Sequence, residues 1–187
     1  MASGTREALL DAATRLLDAG GVEAVTLREV GRQAGVSHNA PYKHFPSKEA
    51  LLAALAAREL ERRASRPQPD ASPANRLRHT LHGYVRWALD SPALFRLIFG
   101  PWTVDSTELH HAADAAQARF VETVLAAQQA GVLPAGDPVR LASLLRSLAH
   151  GAADLASAGH LAAGGKGNAD PEGLVDDLLA YLGTVSG

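Results

Sequence analysis

The sequence predicts an all-α chain of about nine helices, with an N-terminal three-helix helix-turn-helix domain followed by a larger helical domain. Three observations carry this expectation. Apolar residues recur at helical spacing, capping residues and Gly or Pro stops bracket each run, and neither strand-like alternation nor an internal repeat occurs.

The elements follow in order. From Thr5 to Ala19, Leu9, Ala12, Ala13, Leu16 and Leu17 share one helical face, and Gly20-Gly21 stops the helix. Thr26 and Glu29 have capping-box spacing, so a second helix starts at Leu27 with Val30 and Ala34 facing inward. Gly35 supplies a left-handed residue to end it, Val36 plugs the turn, and Ser37 is expected to cap a third helix running through Tyr42 to about Phe45. A fourth helix follows Pro46-Ser47, from Lys48 to about Arg63, with Leu51, Leu52, Leu55 and Leu60 available for packing. Arg66-Pro67-Gln68-Pro69-Asp70 then breaks the pattern, because closely spaced prolines cannot continue a helix. The predicted domains are therefore 1–65 and 66–187.

The second domain also reads as helical. Pro73 to Asp90 is amphipathic, Ser91-Pro92 restarts a short helix that ends at Gly100, and a long helix from about Ser106 to Gln129 is closed by Gly131. Asp137-Pro138 and Asp170-Pro171 each place a cap before a proline at the first helical position, opening the last two helices on either side of a Gly-rich loop at 163–168.

Composition narrows the function. A chain of 187 residues with 47% hydrophobic content can bury a core, and the absence of cysteine excludes disulfides and thiol redox sensing. Neither an export signal nor a membrane span is apparent, which makes the cytoplasm the expected location. The formal net charge is -2, yet between Ala24 and Lys48 stand Arg28, Arg32, Lys43 and Lys48 against only Glu29. Basic character is thus local to the helix-turn-helix. Its second helix would present Ser37, His38, Asn39, Tyr42, Lys43 and His44, a polar face that suits a DNA major groove.

This stretch resembles the N-terminal domain of the TetR family of transcriptional regulators. The resemblance rests on Thr26, Gly35-Val36-Ser37, Tyr42-Lys43-His44-Phe45 and Ser47-Lys48-Glu49, with the preceding amphipathic helix and Leu51-Leu52, and covers about residues 5–60. It implies that Tyr42, His44 and Lys48 contact phosphates, while His38 and Asn39 reach base edges. Asn39 has the chemistry to pair bidentately with adenine. Thr26, Arg28, Ser37 and Lys43 complete the candidate DNA-contacting set. Pro41 departs from the commoner family pattern. With Ser37 as cap it would fall at the fourth helical position and crowd the carbonyl four residues back, which predicts an irregular or delayed helix start.

The resemblance further implies a homodimer that binds a palindromic operator and responds to a small effector, most simply as a repressor. Trp87, Phe95, Phe99, Trp102 and Phe120, with Arg96 and His150 as polar anchors, are the candidate pocket for an apolar or aromatic ligand. Leu141, Leu144, Leu145 and Leu148 on the eighth helix, and Leu174, Leu178, Leu179 and Leu182 on the ninth, are the candidate dimer interface. No cofactor is expected, and no motif for catalysis stands in the sequence. Two other readings stay open: a DNA-binding module without a ligand, and a metal-binding protein built on the eight histidines. Of these, only His79 and His82 are spaced to share a helix face.

Overall fold

In the computed structural model, which describes residues 2–67 and 70–185, the capped amphipathic segments form nine helices, with no strand among the described residues. They are α1 (Ala2–Ala24), α2 (Leu27–Gln33), α3 (Ala40–His44), α4 (Lys48–Ala64), α5 (Pro73–Asp90), α6 (Pro92–Phe99), α7 (Thr107–Gln129), α8 (Pro138–Ser157) and α9 (Pro171–Val185). Gln68 and Pro69 of the expected break lie outside the described residues. Gly20 and Gly21 interrupt α1 with non-helical backbone, Gly21 at φ 68°.

Side-chain caps form at the starts of α4, α5, α8 and α9. Ser47 Oγ accepts from the Ala50 N–H at 3.1 Å and Ser72 Oγ from the Asn75 N–H at 3.3 Å. Asp137 Oδ1 accepts from the Val139 N–H at 2.8 Å, and Asp170 Oδ1 from the Gly173 N–H at the same distance. Each bond satisfies a donor that the first helical turn leaves open.

The chain forms two compact units, one of residues 1–65 with 93–116, the other of 66–92 with 117–187. In the first, α1 packs on α2, α3 and α4. Its core is Leu9, Leu10, Leu16 and Leu17 of α1 with Val25, Leu27, Val30, Phe45, Leu51 and Leu55, all buried. Arg58 of α4 ties to α1 through Asp11 at 2.8 Å and the Thr14 hydroxyl at 2.9 Å.

In the second unit α5 packs on α8 and α9. Leu77, Leu81 and Val85 of α5 meet Val124, Leu133, Leu145, Ala149 and Val175 in one buried cluster. A polar clasp joins α5 to α9 at the edge of this core. Arg78 Nε donates to Asp176 at 2.7 Å, while the His82 ring lies between Asp176 Oδ1 at 2.9 Å and Glu172 Oε2 at 3.0 Å. His79 is exposed, so the two histidines that share a face in the sequence have different surroundings. Among the described residues no group of three or more His, Cys, Asp and Glu is arranged to hold a metal ion.

The Arg78 guanidinium holds the Asp176 carboxyl below its ordinary value, and His82 adds to this against an opposing effect of burial. A carboxylate with a depressed folded pKa contributes stability that is present above its unfolded pKa, about 3.9, and is lost as pH falls through the folded value. Asp176→Asn should therefore lower the thermal midpoint at pH 7. In a pH series of melts the gap from the unaltered protein should narrow as pH falls below about 3.9.

Candidate nucleic-acid interface

The helix-turn-helix is assembled from short-range contacts. Thr26 adopts an extended conformation at the start of α2 and its hydroxyl accepts from the Glu29 N–H at 3.2 Å. Only this half of the capping box is recorded. The Glu29 carboxylate pairs with Arg32 Nε at 2.8 Å and with the Gln33 amide at 3.3 Å. Gly35, at φ 67°, takes the left-handed conformation that ends α2, and the Val36 N–H returns to the Gly31 carbonyl at 3.2 Å.

The start of α3 differs from the expected Ser37 cap. Residues Ser37 to Asn39 lie outside the helix, the Ala40 N–H bonds the Ser37 carbonyl at 2.9 Å, and Asn39 stands at the N-cap position without a side-chain cap bond. The helix spans only Ala40 to His44. The delayed start expected from Pro41 is observed, and its position follows from the same residue. As the second residue of α3 rather than the fourth, Pro41 lacks an N–H that would have had no helical partner there.

Pro41 is also buried, against Gly31 of α2. A β-carbon at Gly31 would sit 2.7 Å from Pro41 Cγ, closer than carbon atoms approach. The two residues form a matched pair. Sequence reasoning treated Pro41 as a disturbance and passed over Gly31, although a glycine in the middle of a helix, ten residues before an unexpected proline, was the available signal.

The candidate contact residues fall on the outside of this assembly. Thr26, Arg28, Ser37, His38, Asn39, Tyr42 and Lys43 are exposed, while His44 and Lys48 are half-buried. Tyr42 is 51% exposed, and its ring lies 6.1 Å from that of His38. Phe45 anchors the C-terminal end of α3 in the core, and the Arg6 guanidinium lies 5.5 Å from its ring centroid. Arg6 in turn donates to Glu108 of α7 at 2.7 Å. Lys48 opens α4 directly after its Ser47 cap.

The aromatic set is divided between the two units. Trp87, Phe120 and His150 belong to the second, whereas Phe95, Arg96, Phe99 and Trp102 belong to the first. Trp87 is buried and meets Tyr84 edge-on at 5.9 Å, and the Tyr84 hydroxyl lies 2.9 Å from His150 Nδ1. Phe120 is half-buried against the core of the second unit. Phe95 and Phe99 stack at 4.9 Å, with Phe99 43% exposed and Arg96 exposed beside it. Trp102 is half-buried and donates its indole N–H to the Ile98 carbonyl at 3.3 Å. Tyr84 was missed by sequence reasoning. Its spacing of three from Trp87, on one face of α5, was the signal.

The leucine stripes need a correction. Leu141 and Leu145 are buried in the second unit's own core, so they have no surface to offer a partner. Leu148, Leu178, Leu179 and Leu182 pack partly against the same core, Leu174 is half-buried, and Leu144 is 66% exposed. Helix α8 is apolar on two faces. Spacings of four and seven residues join Leu144, Leu148 and Leu155 on the outer one, and Leu174, Leu178 and the 69% exposed Tyr181 form the corresponding row on α9.

A short helix, a Gly turn and a second helix with exposed polar residues, carried on a separate helical unit, define a DNA-binding protein of the helix-turn-helix class. Comparison with known proteins narrows the class. A family model described as "Tetracyclin repressor-like, C-terminal domain" matches residues 77–182, and one for "Bacterial regulatory proteins, tetR family" matches residues 9–55. The chain belongs to the TetR family of DNA-binding transcriptional regulators.

Among curated relatives, the HTH-type transcriptional repressor KstR of Rhodococcus jostii is 38% identical over 91 residues, covering 48% of this chain and 43% of the relative. The class D tetracycline repressor protein of Escherichia coli is 39% identical over 62 residues, 33% of this chain and 28% of the repressor. The matches thus span less than half the length of these relatives. A solved structure of a protein of unknown function from Rhodococcus sp. RHA1 superposes with a TM-score of 0.81 at 29% identity, covering 97% of this chain and 94% of the other. No helix among the described residues is long and apolar enough to cross a membrane.

The contact between Gly31 and Pro41 yields a test. Gly31→Ala should destabilise the fold by on the order of 1–3 kcal/mol, as for a side chain forced into packed space, so that the thermal midpoint falls, and should weaken DNA binding. Adding Pro41→Ala should recover part of both losses. Additive losses in the double variant, measured by melting and by DNA titration, would show that the two residues do not act as a pair.

Proposed function

We propose that this regulator is a ligand-responsive repressor that binds a palindromic operator as a homodimer. DNA contact is assigned to residues 1–65, and effector binding and dimerisation to 66–187, with the cytoplasm as the place of action. The observation that carries the reading is that Thr26, Arg28, Ser37, His38, Asn39, Tyr42 and Lys43 are exposed, polar or basic, in a chain of net charge -2, with Lys48 half-buried at the start of α4. In this assignment Tyr42, His44 and Lys48 hold phosphates and set register, while His38 and Asn39, on the turn before α3, meet base edges. The name of the Rhodococcus jostii relative, a transcriptional repressor, supports the sign of regulation.

Two apolar features support the remainder. The outer row of Leu144, Leu148 and Leu155 on α8, with Leu174, Leu178 and Tyr181 on α9, is a face for a second copy of the chain. Self-pairing of such a face about a two-fold axis supplies the symmetry that a palindrome requires. The ring cluster of Tyr84, Trp87 and His150 supports an aromatic or apolar effector, with the Tyr84 hydroxyl and His150 as polar anchors. Such an effector releases DNA only if it binds the DNA-incompetent state more tightly. Linkage then requires that a tenfold loss of DNA affinity be matched by a roughly tenfold loss of effector affinity in the DNA complex.

Lys48→Ala should weaken binding to selected and random DNA alike and reduce the salt slope by about one, as expected for loss of one phosphate contact. Asn39→Ala should instead relax sequence preference, by about 1–3 kcal/mol at a single base pair. Selection of bound DNA from a random pool, followed by titration across salt, separates the two. Altered specificity with an unchanged salt slope for Lys48→Ala would reverse the roles assigned here.

Leu144→Glu places a charge on the outer apolar row without touching the core. It should convert dimers to monomers in sedimentation and abolish tight operator binding in parallel, leaving the far-ultraviolet circular dichroism of the fold in place. A monomer that bound a palindrome tightly would refute the dimer assignment.

A further inference from the structure

The first unit contains a cleft of about 560 Å³ that the regulatory reading does not use. One wall is the C-terminal end of α1, at Gly21, Val22 and Glu23, and the start of α4, at Lys48, Glu49 and Leu52. The other is α6 and the chain after it, chiefly Ala93, Arg96, Leu97 and Trp102. Its volume is that of a small-molecule site.

The chemistry of the lining is specific. Leu52, Leu97 and Ala93 provide an apolar floor, and Trp102 provides a ring held in place by its bond to the Ile98 carbonyl. Two cations and two carboxylates complete the lining, and their states differ. The Glu49 carboxyl is held below its ordinary value by its own backbone N–H and the Ser47 hydroxyl, and the Lys48 charge adds to this. Glu23 is exposed, with water available to its carboxylate. Among the described residues neither Lys48 nor Arg96 donates a side-chain hydrogen bond or closes an ion pair, although the Lys48 charge already acts on the neighbouring Glu49. An apolar floor beside an exposed guanidinium and an ammonium that both keep donors to spare is complementary to an amphipathic anion.

We infer that this cleft binds a small amphipathic carboxylate, with its apolar body on Leu52, Leu97 and Trp102 and its carboxylate on Arg96 and Lys48. The site is distinct from the Tyr84–Trp87–His150 cluster, which belongs to the other unit. Its effect on DNA rests on the phosphate role proposed for Lys48. A carboxylate that occupies the Lys48 ammonium competes with a DNA phosphate for the same charge, so the ligand acts at the DNA-contacting element itself. By linkage, DNA must weaken the carboxylate to the same degree.

The test uses 4-phenylbutanoate on the full chain, with 4-phenylbutan-1-ol and 4-phenylbutylammonium as neutral and cationic counterparts. Calorimetric titration should show the carboxylate binding about tenfold more tightly than either, the worth of one charge-assisted contact. Arg96→Gln, at an exposed position, should reduce that preference, with Lys48 left as the remaining cation. Indole fluorescence should respond to the carboxylate, and Trp102→Phe should abolish the response while Trp87 remains. Equal or tighter binding of the alcohol or the ammonium compound, an unchanged preference in Arg96→Gln, or a response that survives Trp102→Phe would each overturn the assignment. Added carboxylate should also raise the apparent Kd for DNA. Because the binding measurements contain no DNA, failure of the DNA-contact reading leaves them intact, and failure of the carboxylate site leaves DNA binding intact.

Discussion

Pro41 rests in space that a β-carbon on Gly31 would occupy, and the geometry of the helix-turn-helix depends on that approach. The proline ring is a rigid wedge with its φ already set, and it packs only against bare backbone. Once it is seated, α3 begins at Ala40, because earlier helical residues would set the ring against the carbonyl four residues back. His38 and Asn39 consequently stand on a turn. Their backbone is held at one end by the left-handed Gly35 and at the other by Pro41, a fixed mount for two side chains assigned to base edges.

The same segment is tied into its unit at its far end. Phe45 enters the core as α3 ends, Arg6 lies over its ring, and the same guanidinium reaches Glu108. An exposed ion pair of this kind contributes little to stability. Its consequence is geometric, since one side chain links the first turn of α7 to the residue that anchors the recognition segment. The cleft lined by Lys48, Arg96 and Trp102 lies in this unit too. Its lining includes a residue assigned to phosphate, so in the proposed site ligand and DNA compete for one ammonium group.

The second unit shows how one helix serves two packing tasks. On α8, Leu141 and Leu145 point to the core that α5 and α9 also build, while Leu144 stands in solvent. A turn of 3.6 residues puts adjacent leucines roughly a quarter-circle apart, so a run of closely spaced leucines covers both an inner and an outer face. The clasp of Arg78, His82, Glu172 and Asp176 then holds α9 to α5 beside that core, leaving the outer row of α9 available.

Much of this was legible before any coordinates. Caps at Thr26, Ser47, Asp137 and Asp170 form as their spacing required, because a cap is a contact between residues two or three apart. The left-handed Gly35 was readable for the same reason. What sequence could not decide were contacts between residues distant in the chain or side chains of one type with two possible faces. The leucines of α8 satisfy the same periodicity whether they face the core or a partner, and only packing against α5 separates Leu145 from Leu144. The aromatic residues near the middle of the chain likewise looked like one set, and the fold divides them between two units. The sequence by itself determined the helices, most of their ends and the polar face of the helix-turn-helix, since local hydrogen bonding and periodicity govern these. Only the tertiary structure decided where α3 begins, which leucines remain exposed and which cations share a cleft, because each depends on non-bonded approach between segments whose spacing the chain order does not encode.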